Sequence, residues 1–252
     1  MAKKFKDYYD SECAALLAEK ISQVSDHFPA NDFISYIGQK IQGKEFSERQ
    51  EIFANAFEKF IDGNFEDKIH IFFKILGPEL EKSEGMFTKG WWLWPVGKYI
   101  ELYGLRNPEL SLDFIYELTK RFTGEFAIRP LISANPRKTL QNIEKWSTDT
   151  NVHVRRLSSE CLRIRLPWSK KSDSAINEFA IFKQILTNLK DDKEKFVQKS
   201  VGNNLNDLMK ENSELANQII SEWEKNSPGK ETLWIIKHGK RSLTKKLKKE
   251  AI

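Results

Sequence analysis

The sequence predicts an all-α chain of antiparallel helix pairs, and three observations carry that expectation. No stretch alternates apolar and polar residues in the manner of a strand, whereas apolar residues recur at spacings of three and four along most of the 252 residues. Short turns rich in Gly, Pro and Asn separate those periodic stretches. Finally, a polar triplet recurs with internal spacing of four: Arg155, Ser159 and Arg163, then Lys199, Asn203 and Asp207, then Lys237, Arg241 and Lys245. Successive triplets are offset by 44 and 38 residues, which brackets the period of about 40 shown by helical HEAT-type repeats. The expected architecture is therefore a HEAT-like α-solenoid whose equivalent helices line one concave basic face.

The elements follow in order. Phe5 to Val24 reads as an amphipathic helix carrying Leu16, Leu17 and Ile21, ended before His27, Phe28 and Pro29. Asn31 to Gln42, Glu45 to Phe60 and Asp67 to Leu76 repeat the signature, punctuated by Gly43, Gly63 and Gly77. Trp91, Trp92 and Trp94 crowd the approach to Pro95, which marks a loop entering a helix; core filling is the plain role for these rings. These amino-terminal helices, 1–106, and the helix pairs of 107–249 read as one domain. Gly124 to Ser133 reads as a shorter helix with Glu125 and Arg129 four apart.

Asn151 to Trp168 organises the second part. Val154, Leu157, Cys161 and Ile164 form an apolar stripe, opposite Arg155, Ser159 and Arg163. Pro167 is expected to stop this helix and to deliver Trp168 just beyond its end, within reach of a ligand.

Composition narrows the function. Lys+Arg of 41 against Asp+Glu of 36 gives +5, and residues 237–252 alone hold seven basic residues and one acid, so the positive field is local. With the aligned stripes, that excess predicts a basic groove suited to a phosphate backbone. Two cysteines, Cys13 and Cys161, provide neither a disulfide framework nor metal-ligand spacing, and the four histidines show no nucleophile or metal pattern; no metal and no cofactor is expected. No apolar run approaches the roughly 20 residues of a membrane span, and the N-terminus leads into no signal region. A soluble, cytoplasmic, monomeric chain is expected.

Asp207 breaks the pattern, since it places a carboxylate where the neighbouring triplets offer Arg163 and Lys245. An ion pair is its plain explanation. The functional alternative is that Asp207 and Glu125 face developing positive charge or orient a water, with Trp168 supplying a π-face.

The blocks FTGEFAIRPLI (122–132), HVRRLSSECLRIRLPW (153–168), FVQKSVGNNLNDL (196–208) and WIIKHGKRSL (234–243) resemble, in order, the AlkC branch of the AlkC/AlkD bacterial DNA glycosylases. The similarity extends to FTKGWWLWPVGKYIELYG (87–104) and the amino-terminal helices. It implies hydrolysis of the N-glycosidic bond of 3-methyladenine in double-stranded DNA, with 3-methylcytosine a second candidate, to start base excision repair without strand cleavage. By position it implies Glu125, Trp168 and Asp207 as catalytic residues and Arg155, Arg156, Ser159, Arg163, Lys199, Asn203, Lys237, Arg241 and Lys245 as DNA contacts. Cys161, Ile164 and Gly239 with Lys240 depart from the family's pattern without removing a carboxylate or the tryptophan. An appended immunoglobulin-like domain, present in some relatives, is not expected. The competing reading is a non-enzymatic HEAT-repeat scaffold binding nucleic acid or acidic proteins.

Overall fold

Every regular element in the computed structural model is helical among the described residues, which are 3–82, 89–225 and 227–243. The chain divides into two compact units, residues 1–131 and 132–252. The division falls inside a short helix, whereas the sequence pattern predicts one domain with helix pairs beginning at 107.

In the first unit a 3-10 turn, Phe5–Tyr8, precedes α1 (Ser11–Ser22). The Asp10 side chain accepts from the backbone N–H groups of Glu12 and Cys13, capping α1 and splitting the single helix expected over Phe5 to Val24. Next come α2 (Ala30–Lys40), α3 (Phe46–Phe60) and α4 (Phe65–Ile75), close to the predicted spans. Reciprocal capping boxes, Glu45 with Glu48 and Asn64 with Asp67, fix the starts of α3 and α4. A 3-10 turn, Trp91–Leu93, leads into α5 (Trp94–Tyr103), which has Pro95 in its first turn as expected.

The core of this unit is aromatic. Trp94 packs on Phe5, Phe46, Phe122 and Phe126, while Tyr99 packs on Phe57, Phe65 and Phe72. Core filling therefore accounts for Trp94 and for the buried Trp92. Helix α6 (Pro108–Thr119) follows, then a turn segment, then α7 (Arg129–Ala134), which carries the unit boundary.

The second unit is laid down as helix pairs in two layers. Its elements are α8 (Pro136–Trp146), α9 (Val152–Glu160), α10 (Ser174–Asn177), α11 (Phe179–Leu189), α12 (Lys195–Glu211), α13 (Ser213–Glu224) and α14 (Lys230–Gly239). Asparagines open α8, α9 and α13: Asn135, Asn151 and Asn212 each accept from backbone N–H groups of the first turn. In one layer α11 bridges its neighbours. Asn188 donates to the Ser147 hydroxyl at the end of α8, and Trp223 of α13 donates to Thr187. In the other layer α12 lies between α9 and α14. Gly202 and Gly239 let α12 and α14 approach, because a Cβ on Gly202 would meet His238 at 2.7 Å and one on Gly239 would meet Leu205 at 2.7 Å. Neither site has room for a side chain.

Candidate active site

Helix α12 is the structural centre of the second unit's polar chemistry. Its buried Asn204 donates to the carbonyls of Ser159 (2.8 Å) and Ser200 (3.0 Å), and Ser159 donates to the Ser200 hydroxyl at 2.7 Å. On the opposite flank Asn206 donates to the Gly239 carbonyl at 2.8 Å, while Asn203 accepts from Arg241 at 3.0 Å and lies 3.1 Å from the His238 ring nitrogen. Each buried amide thus ties one helix to the next. The predicted 44- and 38-residue offsets reappear as contacts, Arg163 with Asp207 and Asn203 with Arg241.

Asp207, only 3% exposed, accepts from Arg163 Nε at 3.1 Å. Arg163 also reaches Glu160 at 3.1 Å, and Arg156 reaches the same carboxylate at 3.5 Å. The result is a buried alternating set, Arg156, Glu160, Arg163 and Asp207. Burial pushes the Glu160 carboxyl up, but the charges of Arg156 and Arg163 outweigh it and hold the group below its ordinary range. Arg163 is driven the other way: burial lowers its pKa, and Glu160 with Asp207 raises it above the ordinary guanidinium value. Arg241 is lowered by burial, against the pull of Asp207. Among these groups Glu160 was not singled out by the sequence pattern; its signal is its place four residues after Arg156 and three before Arg163.

Helix α9 ends at Glu160, six residues earlier than the proline-stop expectation. From Leu162 the burial pattern switches to period two, with Leu162, Ile164 and Leu166 inside and Arg165 exposed. Arg163 therefore reaches Asp207 from a turn segment and not from a helical stripe. Two residues past Leu166, Trp168 is 67% exposed and adopts φ of 62°, a left-handed conformation unusual for a bulky side chain. Trp168 is exposed as the sequence predicts, but it lies eight residues beyond the end of α9 and not just past it, and the proline does not terminate the helix.

Glu125 belongs to the first unit. It is 1% exposed and lies in the turn between α6 and α7, where it accepts from the Thr123 hydroxyl. The helix expected over Gly124 to Ser133 begins only at Arg129, so Glu125 and Arg129 do not share a helical face. Gly124 makes the turn possible, since a Cβ there would meet Ile115 at 2.6 Å.

The expected DNA-contact residues divide by environment. Lys199 and Lys237 are exposed, and Arg241 is half-buried. Arg155 is held by Asp192 at 2.7 Å and by the carbonyls of Asp149 and Thr150. Arg156 lies over the Phe196 ring at 5.1 Å. Ser159 is fully buried and its hydroxyl is committed to the α9–α12 contact, which corrects the expectation of an outward-facing donor. Asn203 is spent on the α12–α14 contact. Lys245 and the remainder of the basic tail after Leu243 lie outside the described residues. No cluster of three or more His, Cys, Asp or Glu suited to a metal occurs among the described residues, and no described helix is long and apolar enough to cross a membrane.

Comparison with known proteins places this arrangement. The family model described as DNA alkylation repair enzyme matches residues 124–252, a segment containing Glu125, Trp168 and Asp207. The chain belongs to the DNA alkylation repair enzyme family. Within that family's reach, the uncharacterized protein YhaZ of Bacillus subtilis (strain 168) is 39% identical over 154 residues, covering 61% of this chain and 43% of YhaZ. The structure of the Pseudomonas fluorescens alkylpurine DNA glycosylase AlkC bound to DNA containing an abasic site analog superimposes with a TM-score of 0.84 at 27% identity, covering 97% of this chain and 66% of AlkC. AlkD2 from Streptococcus mutans shares the fold, with a TM-score of 0.51 at 18% identity over 82% of this chain and 97% of AlkD2. The chain spans less than two thirds of the length of YhaZ and AlkC.

Proposed function

We propose that this member of the DNA alkylation repair enzyme family is a monofunctional DNA glycosylase, which hydrolyses the N-glycosidic bond of cationic alkylated bases in double-stranded DNA. The likeness to AlkC, a glycosylase solved on DNA, supports the activity and the substrate class. The observation that carries the reading is the buried Asp207 carboxylate on α12, oriented by Arg163 from the turn segment after α9. A carboxylate in a water-poor site acts on developing positive charge more strongly than one in water, and the Arg163 contact fixes where it points.

The substrate explains why so little machinery is needed. N3-methylation leaves adenine cationic, so the base departs as a neutral molecule with the electron pair of the C1′–N bond, and no strong general acid is required. Water attacks C1′ and loses its proton, leaving an abasic deoxyribose. In this scheme Asp207 and Glu125 stabilise the oxocarbenium-like sugar and position the water, while Trp168 stacks on the lesion or its sugar. Arg156, Lys199, Lys237 and Arg241 grip phosphates, while Arg163 is held by Glu160 and Asp207. We assign 3-methyladenine as the principal lesion and 3-methylcytosine as the second, with the enzyme acting in the cytoplasm as a monomer without metal or cofactor.

The test is base release from methylated duplex by the wild type and by Asp207→Asn and Glu125→Gln. Each substitution is expected to lower the single-turnover rate by about 100-fold or more. Wild-type rates from both variants would remove the assignment.

A further inference from the structure

A carboxylate outside the expected site joins Asp207 to the Trp168 segment. Glu211 lies four residues after Asp207 at the end of α12, so the two acids share a face about 6 Å apart along the helix axis. The residues facing them also come as a pair: Arg163 reaches Asp207, and two positions on Arg165 reaches Glu211. Between them Ile164 is buried, which keeps both arginines turned to the same side. Glu211 is then approached from beyond the tryptophan by Lys171 at 2.7 Å. Its two partners thus flank Trp168, three residues away on either side. The segment is closed further by Ser172 donating its backbone N–H to the Ile164 carbonyl at 3.1 Å and by Ser169 donating to Leu166 at 3.2 Å.

We infer that Glu211 is a positioning residue: its carboxylate clamps both ends of the 165–171 loop to α12 and so fixes the Trp168 indole relative to Asp207. The left-handed backbone at Trp168 is a conformation that surrounding structure must impose, and the clamp is one of the contacts that impose it. Arg165 and Lys171 are exposed side chains that cover the Glu211 carboxylate at the last residue of α12, so removing the clamp loosens the loop and leaves the apolar core packing in place. This inference rests on the glycosylase reading for its role in catalysis, but the clamp itself is testable without it.

Two measurements decide it. Chymotrypsin cleavage after Trp168 in the full chain, under native conditions, is expected to run about three- to tenfold faster in Glu211→Gln than in the wild type, at unchanged melting temperature and helical circular dichroism. In base-release kinetics on methylated duplex, Glu211→Gln is expected to lower kcat/KM by about tenfold, and to have no further effect in a Trp168→Ala background. Glu211→Asp should recover part of the loss. Equal cleavage rates overturn the clamp, and additive kinetic losses with Trp168→Ala overturn its action through the indole. If the wild type releases no base, the glycosylase reading fails while the cleavage comparison still decides the clamp.

Discussion

Arg163 is the residue on which the second unit's charge arrangement turns, because it is shared by two buried carboxylates. Its pKa is raised by both partners against the cost of burial, so it remains charged at any accessible pH. Arg163→Ala leaves Asp207 without that partner and Glu160 with Arg156. Breaking a buried pair by removing one member costs about 3 kcal/mol or more, a larger effect than a surface ion pair shows. Urea denaturation should therefore show roughly that loss, and Arg163→Lys should recover only part of it, because an ammonium lacks the fork that spans two carboxylates. An unchanged midpoint would mean that the four charged groups are not energetically coupled. The same buried set explains why Asp207, on sequence alone an ill-placed acid in a basic stripe, is tolerated: the Arg163 guanidinium lies 3.1 Å from it.

At the scale of elements, much of the second unit was legible from periodicity. The triplet offsets predicted which helices are neighbours, and Arg163 with Asp207 and Asn203 with Arg241 realise them. What periodicity could not show was whether the polar stripe faces a partner or the next helix. Ser159 and Asn203 face the next helix, because Ser159 donates to the Ser200 hydroxyl of α12 and Asn203 meets the His238 ring and accepts from Arg241 across the close packing of α12 and α14. The end of α9 is hard to read from sequence for a related reason. Leu162, Ile164 and Leu166 are apolar at period two, but Cys161 and Ile164 also fit a period near 3.6, and the latter pattern masked the change. In the first unit the helices α2, α3 and α4 lie close to the spans the periodicity predicts, whereas the break at Asp10 is hidden in sequence because the apolar period continues across the cap.

Two predictions belong to this scale. Gly239→Val should destabilise the second unit by about 2 kcal/mol, since the new side chain meets Leu205; a thermal scan with no change would show that α14 shifts freely. Glu58 joins three helices of the first unit, accepting from Lys68, Tyr99 and Arg106. Burial pushes its carboxyl up, but hydrogen bonds from Arg106, Lys68 and Tyr99 prevail and hold it at about 2, against an ordinary value of 4.5. A depressed folded pKa stabilises above the unfolded value and is lost as pH falls through the folded one. Glu58→Gln should thus be less stable than wild type at pH 6, with the difference shrinking between about pH 4.5 and 2; a constant difference across that window would contradict the linkage.

At the scale of the whole molecule, the chain belongs to a DNA repair family and concentrates basic residues toward its carboxy-terminal end. On the glycosylase reading, the exposed Lys199 and Lys237 are the simplest candidates for phosphate contact. Substituting either by alanine should weaken duplex binding irrespective of sequence and reduce the slope of log affinity against log salt by about one. An unaltered slope would remove that lysine from the interface. Glu125 is the part of the site that sequence pattern could suggest only as one acid beside a base. Its buried turn and its Thr123 partner emerge from the fold, and its role stands with the glycosylase reading.

The most direct test of that reading is to incubate the purified chain with duplex DNA treated with a methylating agent and to quantify free bases in the supernatant, alongside strand integrity. The account predicts released 3-methyladenine, intact strands carrying abasic sites, and loss of release in Asp207→Asn. Alkylated duplex bound by the wild type with no base set free would contradict it.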